Sequence, residues 1–148
     1  MKRTTAIRPA CPDDLRDLFL LGESVFPELS GWEAPALAEL LSAPGCLAFV
    51  ALQRKKITGF IIGTVIPKYG ESLSVIHWIC VAEKQRGRGI GRMLCESFFS
   101  ESRSRNRSRC SVEIQGEVRD AVHFFNKIGF TEKAPAVILE FNLKNSDS

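Results

Sequence analysis

The stretch Ile79-Cys80-Val81-Ala82-Glu83-Lys84-Gln85-Arg86-Gly87-Arg88-Gly89-Ile90-Gly91 decides how this chain is read. Its first three residues close an apolar, β-branched run, Leu73–Val81, which predicts a strand. Beyond Gly89, the placing of Ile90, Met93, Leu94 and Phe98 on one side predicts an amphipathic helix. Between the two, glycines let the backbone approach a ligand closely and gather successive N–H groups into one concavity. The first turn of a helix adds unpartnered N–H donors and a positive dipole end, typically ~0.3–2 kcal/mol toward an anion. Arg86 and Arg88 add full charges. The combination is a cradle for a pyrophosphate.

Spacing narrows the choice of pyrophosphate. A nucleotide-hydrolysing P-loop needs G-x-x-x-x-G-K-[ST], and no Lys-Ser or Lys-Thr follows here. A dinucleotide fingerprint counted from Gly87 puts its third glycine at Arg92, so it fails as well. The pattern that fits is R-x-x-G-x-G, formed by Arg86, Gly89 and Gly91.

On the N-terminal side, Thr4–Arg8 predicts a strand, and Pro12 opens a helix striped by Leu15, Leu18, Phe19, Val25 and Phe26. A second helix runs from about Ala34 to Leu41 and stops before Pro44-Gly45. Cys46–Gln53 and Ile57–Ile66, joined by Arg54-Lys55-Lys56, predict a hairpin, and Pro67 to Gly70 a turn. On the C-terminal side come a strand at Arg109–Gln115 and a helix at Asp120–Lys127 that Gly129 ends. Phe130–Glu132 and Val137–Leu143 predict closing strands. The expectation is an α/β fold: one domain over 1–148, with a mixed central sheet of about seven strands, about four flanking helices and a tail from 143.

Composition agrees with a globular domain. With 148 residues, 45% hydrophobic and 25% charged, the chain has enough apolar surface for a core without staples. Five cysteines at 11, 46, 80, 95 and 110 form no C-x-x-C pair and have no histidine at ligand spacing. Neither a disulfide framework nor a metal site is expected, and free thiols point to a reducing, cytoplasmic setting. The longest near-apolar stretch, Gly59 to Ile66, is far short of the ~20 residues of a membrane span. No apolar segment follows Met1-Lys2-Arg3 that would make a secretion signal.

The net charge of +3 hides two opposed regions. Cys11 to Gln53 holds seven acids against Arg16, and Lys84 to Arg109 holds eight bases against Glu96 and Glu101. An anionic partner suits the second region and a cationic one the first. The Ser-Arg alternation at 103–109 is seven residues long and has no aromatic residue, so nucleic-acid binding is not expected.

With these elements in order, the chain resembles the GNAT superfamily of N-acetyltransferases, whose signature loop wraps the pyrophosphate of acetyl-CoA. The resemblance extends beyond the glycine loop. Val112-Glu113-Ile114, then Ala121 and Phe124-Phe125-Asn126-Lys127-Ile128-Gly129-Phe130, is similar to the family's later block ending in F-Y-x-K-x-G-F. Ile7-Arg8-Pro9-Ala10 with Asp13-Asp14-Leu15 resembles its opening, and Ile57-Thr58-Gly59-Phe60 its third strand.

The resemblance implies an acetyl-CoA-dependent N-acetyltransferase acting on a primary amine by direct attack on the thioester. In such enzymes the fourth and fifth strands splay apart to admit the pantetheine arm. That places the arm against Ile79 and Val81, the phosphates on Arg86, Gly87, Arg88, Gly89, Ile90 and Gly91, and the later block's Phe125 in the cofactor site. Homodimers are common in the family, so the resemblance admits a homodimer, but nothing in this sequence fixes the oligomeric state. Two family positions are altered: the Tyr that often protonates the leaving sulfur falls on Phe125, and an Asn falls on Val118. Tyr69, the one tyrosine, lies in a predicted turn and is a poor substitute. The alternative is therefore a non-catalytic acyl-CoA-binding module.

For a general base, His77 is the candidate, because strand alternation puts Val75, His77, Ile79 and Val81 on one side. The other role for His77 is a hydrogen-bonded core histidine. Alternation sends Cys80 to the opposite face, which argues against a Cys–His pair. Glu113, centred in the predicted fifth strand, is either a base acting through water or a paired structural carboxylate, and His123 is expected at the surface. In this superfamily the first two helices shape the acceptor site. Their acidic character, with Glu23, Glu28 and Glu33, suggests a cationic amine: a polyamine, an arylalkylamine, or a protein or peptide amine. Trp32 either walls that site or packs.

Overall fold

Apolar strands between residues 6 and 112 make one sheet with helices on both of its faces. The computed structural model describes residues 4–25, 32–68, 71–114, 119–133, 137 and 139–145. They group into two compact units, Met1–Gly116 and Glu117–Ser148.

In the first unit, β1 (Ala6–Pro9), β2 (Cys46–Gln53), β3 (Lys56–Lys68), β4 (Glu71–Val81) and β5 (Arg109–Val112) form a sheet in sequential order. The first four strands are antiparallel, and β5 joins β4 in parallel. The β2–β3 turn is tighter than expected. Gln53 pairs with Lys56, so Arg54 and Lys55 form a two-residue loop, both at positive φ (51° and 67°). Pro12–Asp14 is a single 3-10 turn that leads into α1 (Leu15–Val25), and α2 (Ala34–Ser42) follows.

The two helices cover one face of the sheet. Leu18, Trp32 and Leu37 pack there with Val50, Phe60, Ile62 and Cys80. Trp32 stacks on Phe60 at 5.4 Å, meets Trp78 edge-on at 5.2 Å, and donates its Nε1–H to the Phe19 carbonyl at 2.9 Å. Trp32 is thus a core residue. A Cβ on Gly22 would collide with its ring, so α1 approaches Trp32 only because that position is bare. The other face takes α3 (Ile90–Ser104), whose residues Ile90, Leu94, Phe98 and Ser102 recur at helical spacing and are all buried. Gly59 lies under Ile90 and Leu94, and Gly63 under Phe98.

The second unit contains α4 (Arg119–Ile128). Gly129, at φ 124°, ends it, and the N–H of Phe130 donates back to the Phe125 carbonyl at 3.0 Å.

Against the expected seven strands, the described residues contain five. Neither 130–133 nor the described part of 137–145 is strand. Val137, Leu139, Phe141 and Leu143 keep a strand's alternation, yet all are 80% exposed or more. Pattern alone does not make a strand; a ladder partner is also needed. Phe26, Glu28, Tyr69, Val118 and Ile138 lie outside the described residues.

Candidate active site

The turn between β4 and α3 has the backbone that its glycines suggest. After β4 ends at Val81, a 3-10 turn at Glu83–Gln85 leads to Gly87 and Gly89, at φ 80° and 81°. That region costs an L-residue roughly 1–2 kcal/mol. No atom lies within 4 Å of where a Cβ would stand on either glycine, so the space above the loop is open. No side chain caps α3 at Gly89. The first helical bond runs from the Met93 N–H to the Gly89 carbonyl at 3.0 Å, so the amides of Ile90 and Gly91 have no acceptor within the helix. Arg86 is tied to the end of β4 through Nε to the Val81 carbonyl at 3.2 Å. Arg88 Nη1 donates to Gln85 Oε1 at 3.3 Å, and Ile90, 1% exposed, anchors the helix start. Bare positive-φ backbone, open space and uncapped amides together fit a diphosphate.

Beside this loop, the β4–β5 ladder is short. It joins Leu73–Ile76 to Arg109–Val112, and β4 then continues for five residues past its last described partner on that side. Ile79 and Val81 lie in this extension. The break coincides with an irregularity on the β3 side, where Ile62 pairs with Trp78 but Gly63 with Ile76, leaving His77 as an extra residue in a β-bulge.

The bulge overturns the expected alternation. Cross-strand partners share a face. Gly59, Ile61 and Gly63 face α3, so their partners Val81, Ile79 and Ile76 do too. Phe60 and Ile62 face α1 and α2, and with them Cys80 and Trp78. Val75, the partner of Thr64, is on that second side. His77 joins it, its Nε2 lying 2.9 Å from Thr64 Oγ1. His77 therefore stands apart from Ile79 and Val81, and on the same face as Cys80. That shared face does not make a nucleophile: burial pushes the Cys80 thiol up to about 12, and its Sγ meets the Leu21 carbonyl at 4.0 Å.

His77 is exposed rather than a core residue, although desolvation by neighbouring protein lowers its pKa below 6.5. Thr64 is the contact that strand reading missed. Only the bulge, which leaves no mark in the residue types, brings it to His77. Glu113 lies just past the end of β5 and is exposed, not centred in the strand. His123 is exposed on α4. Phe125, 5% exposed, makes edge contacts with Phe124 and Phe130, both at 5.1 Å.

Arg8 fixes the turn that opens α1. It grips Asp14 through two bonds, Nη1–Oδ2 at 2.8 Å and Nη2–Oδ1 at 2.9 Å, while the Cys11 N–H donates to Oδ2 at 2.9 Å. The Arg8 guanidinium holds the Asp14 carboxyl down to about 2. Among the described residues no group of three His, Cys, Asp or Glu is placed to hold a metal ion. No helix among them is long and apolar enough to cross a membrane.

This geometry has known relatives. A mycothiol acetyltransferase of Rhodococcus opacus (strain B4) is 25% identical over 112 residues, covering 70% of this chain. The chain spans only 37% of that relative's length. Among solved structures, the aminoglycoside N-acetyltransferase AAC(6')-Iy in complex with CoA matches with a TM-score of 0.83 at 17% identity, over 95% of this chain and 97% of that one. A ribosomal-protein-alanine N-acetyltransferase from Brucella melitensis biovar Abortus 2308 matches with a TM-score of 0.79 at 18% identity, over 94% and 100%. The model of the acetyltransferase (GNAT) family matches residues 13–130, and the chain belongs to that family.

Proposed function

We propose that this chain is an acetyl-CoA-dependent N-acetyltransferase, with residues 1–148 acting as one catalytic domain. The observation that carries the reading is the open, uncapped turn at 86–91 beside the short β4–β5 ladder. In this reading the amides of Gly87 to Gly91, with Arg86 and Arg88, hold the diphosphate, and the β4 edge at Ile79 and Val81 holds the pantetheine arm. When bound, acetyl-CoA supplies an activated acyl carbonyl. An N–H near Ile79 is the donor for the oxygen that becomes negative during attack. His77 takes a proton from the acceptor ammonium. Its lowered pKa keeps it unprotonated at neutral pH, as a base must be.

Phe125 has no proton to give, so in this reading the leaving sulfur draws its proton from the acceptor or from water. The acceptor is a cationic amine, supported by exposed Asp13, Asp17, Glu23, Glu33 and Glu39 on and around α1 and α2. The aminoglycoside and ribosomal-protein enzymes whose fold matches carry such acceptors in their names. A second reading, an acyl-CoA-binding module without turnover, is favoured by the hydrocarbon ring of Phe125 in the tyrosine's place. Release of free coenzyme A from acetyl-CoA, measured with spermidine, 2-phenylethylamine, kanamycin and a free-N-terminus peptide, separates the two. Turnover with at least one cationic amine supports catalysis. Binding of acetyl-CoA with no turnover on any amine supports the module.

A further inference from the structure

The Thr64–His77 contact says which imidazole nitrogen is available for chemistry. His77 is the extra residue of the β4 bulge, so its backbone position is set by two strands rather than by regular alternation. Its Nε2 lies 2.9 Å from Thr64 Oγ1, a full hydrogen bond. Two arrangements satisfy that distance. If the hydroxyl donates, Nδ1 carries the ring proton and the Nε2 lone pair is consumed, so neither nitrogen can accept a proton without breaking the bond. If Nε2–H donates to Oγ1, the Nδ1 lone pair of this exposed ring meets no hydrogen-bond donor among the described residues.

We infer that Thr64 is a positioning residue for His77: it accepts the Nε2–H, fixes the tautomer, and makes Nδ1 the atom that receives the acceptor's proton. The inference rests on the reading of His77 as the base. The balance is simple. The acceptor ammonium loses one proton to Nδ1, which leaves a free amine and an imidazolium with both nitrogens protonated. The amine nitrogen forms the C–N bond as the C–S bond breaks, the electron pair leaves with sulfur, and sulfur takes the second N–H proton. His77 then returns its proton to solvent. Throughout, Nε2–H keeps its bond to Thr64, and that bond strengthens when the ring is charged. Desolvation is what lowers the resting pKa, and no charged group among the described residues contributes to that shift.

The test is long-range 15N–1H correlation of histidine-labelled protein above the imidazole pKa, compared across wild type, Thr64→Val and Thr64→Ser. The expected result is an Nε2–H tautomer at His77 in wild type and Thr64→Ser, and a mixture of tautomers in Thr64→Val. Turnover on whichever of spermidine, 2-phenylethylamine or a free-N-terminus peptide reacts fastest should fall roughly three- to tenfold in Thr64→Val, the size expected for the loss of one hydrogen bond. The KM for acetyl-CoA should stay unchanged, the acid limb of the pH profile should move, and Thr64→Ser should restore both. An Nδ1–H tautomer in wild type, or a Thr64→Val enzyme with the wild-type pH profile, overturns the assignment. Undiminished turnover in His77→Gln overturns the base itself, whatever the tautomer.

Discussion

Asp14 shows how a single buried carboxylate shapes the start of this fold. It is 6% exposed and held by both arms of Arg8 and by the Cys11 amide. Its folded pKa, about 2, is below the ordinary 3.8. The bond therefore stabilises the fold fully above pH ~3.8, and that contribution fades as pH falls toward 2, by the linkage of proton uptake to unfolding. With Arg8 itself partly exposed, the contribution is about 1–2 kcal/mol, from ~1.4 kcal/mol per pKa unit. Asp14→Asn should lower the denaturation midpoint at pH 7 and flatten the loss of stability between pH 4 and 2. At His77 the sign of the lowered pKa puts the acid limb of kcat/KM below pH 6.5, and His77→Gln should remove that limb while leaving acetyl-CoA affinity unchanged. At the loop, Gly89→Ala should weaken acetyl-CoA binding at least several-fold through its φ of 81°, because no neighbouring atom is there for the methyl to strike. These glycines were legible in the sequence because their types carry the conformation. Thr64 was not, because threonine at a strand position announces nothing.

Among the elements, β3 and β4 do most to place the site. Regular alternation predicted one face for Val75, His77, Ile79 and Val81, and one extra residue divided them. A bulge is a matter of register, which no single strand's sequence records. Strand boundaries are legible where composition is strongly apolar, as at Cys46–Gln53, and not where backbone partners decide, as at the described C-terminal residues. The close approach of α3 depends on Gly63, whose added Cβ would collide with the Val75 carbonyl and meet Phe98 Cζ at 2.5 Å. Gly63→Ala should destabilise by about 1–3 kcal/mol or more, measured by urea unfolding. The β2–β3 turn offers the opposite change. Arg54 and Lys55 both sit at positive φ in a two-residue loop, where Asn-Gly is preferred. Replacing them by Asn and Gly relieves left-handed strain of roughly 1–2 kcal/mol per residue, offset in part by glycine's extra unfolded-state entropy, and should raise stability in urea unfolding without altering turnover.

On the scale of the molecule, sequence order was enough to name the family. The glycine loop, the Arg8–Asp14 opening and the F-x-N-K-x-G-F block lie in the family's order, and its model spans 13–130. The acidic helices and the basic loop are consistent with one substrate of each sign, but long-range fields steer encounter more than they define chemistry. Acceptor identity was not legible because it depends on the shapes of loops between elements. In the proposed function, main-chain amides at 86–91 bind the diphosphate of coenzyme A. Isothermal titration calorimetry of the wild-type protein with acetyl-CoA, with free coenzyme A and with dephosphorylated pantetheine tests it most directly. Saturable heat with both nucleotide-bearing ligands, lost with pantetheine and reduced in Gly89→Ala, is the predicted result; no saturable heat with either form of coenzyme A contradicts it.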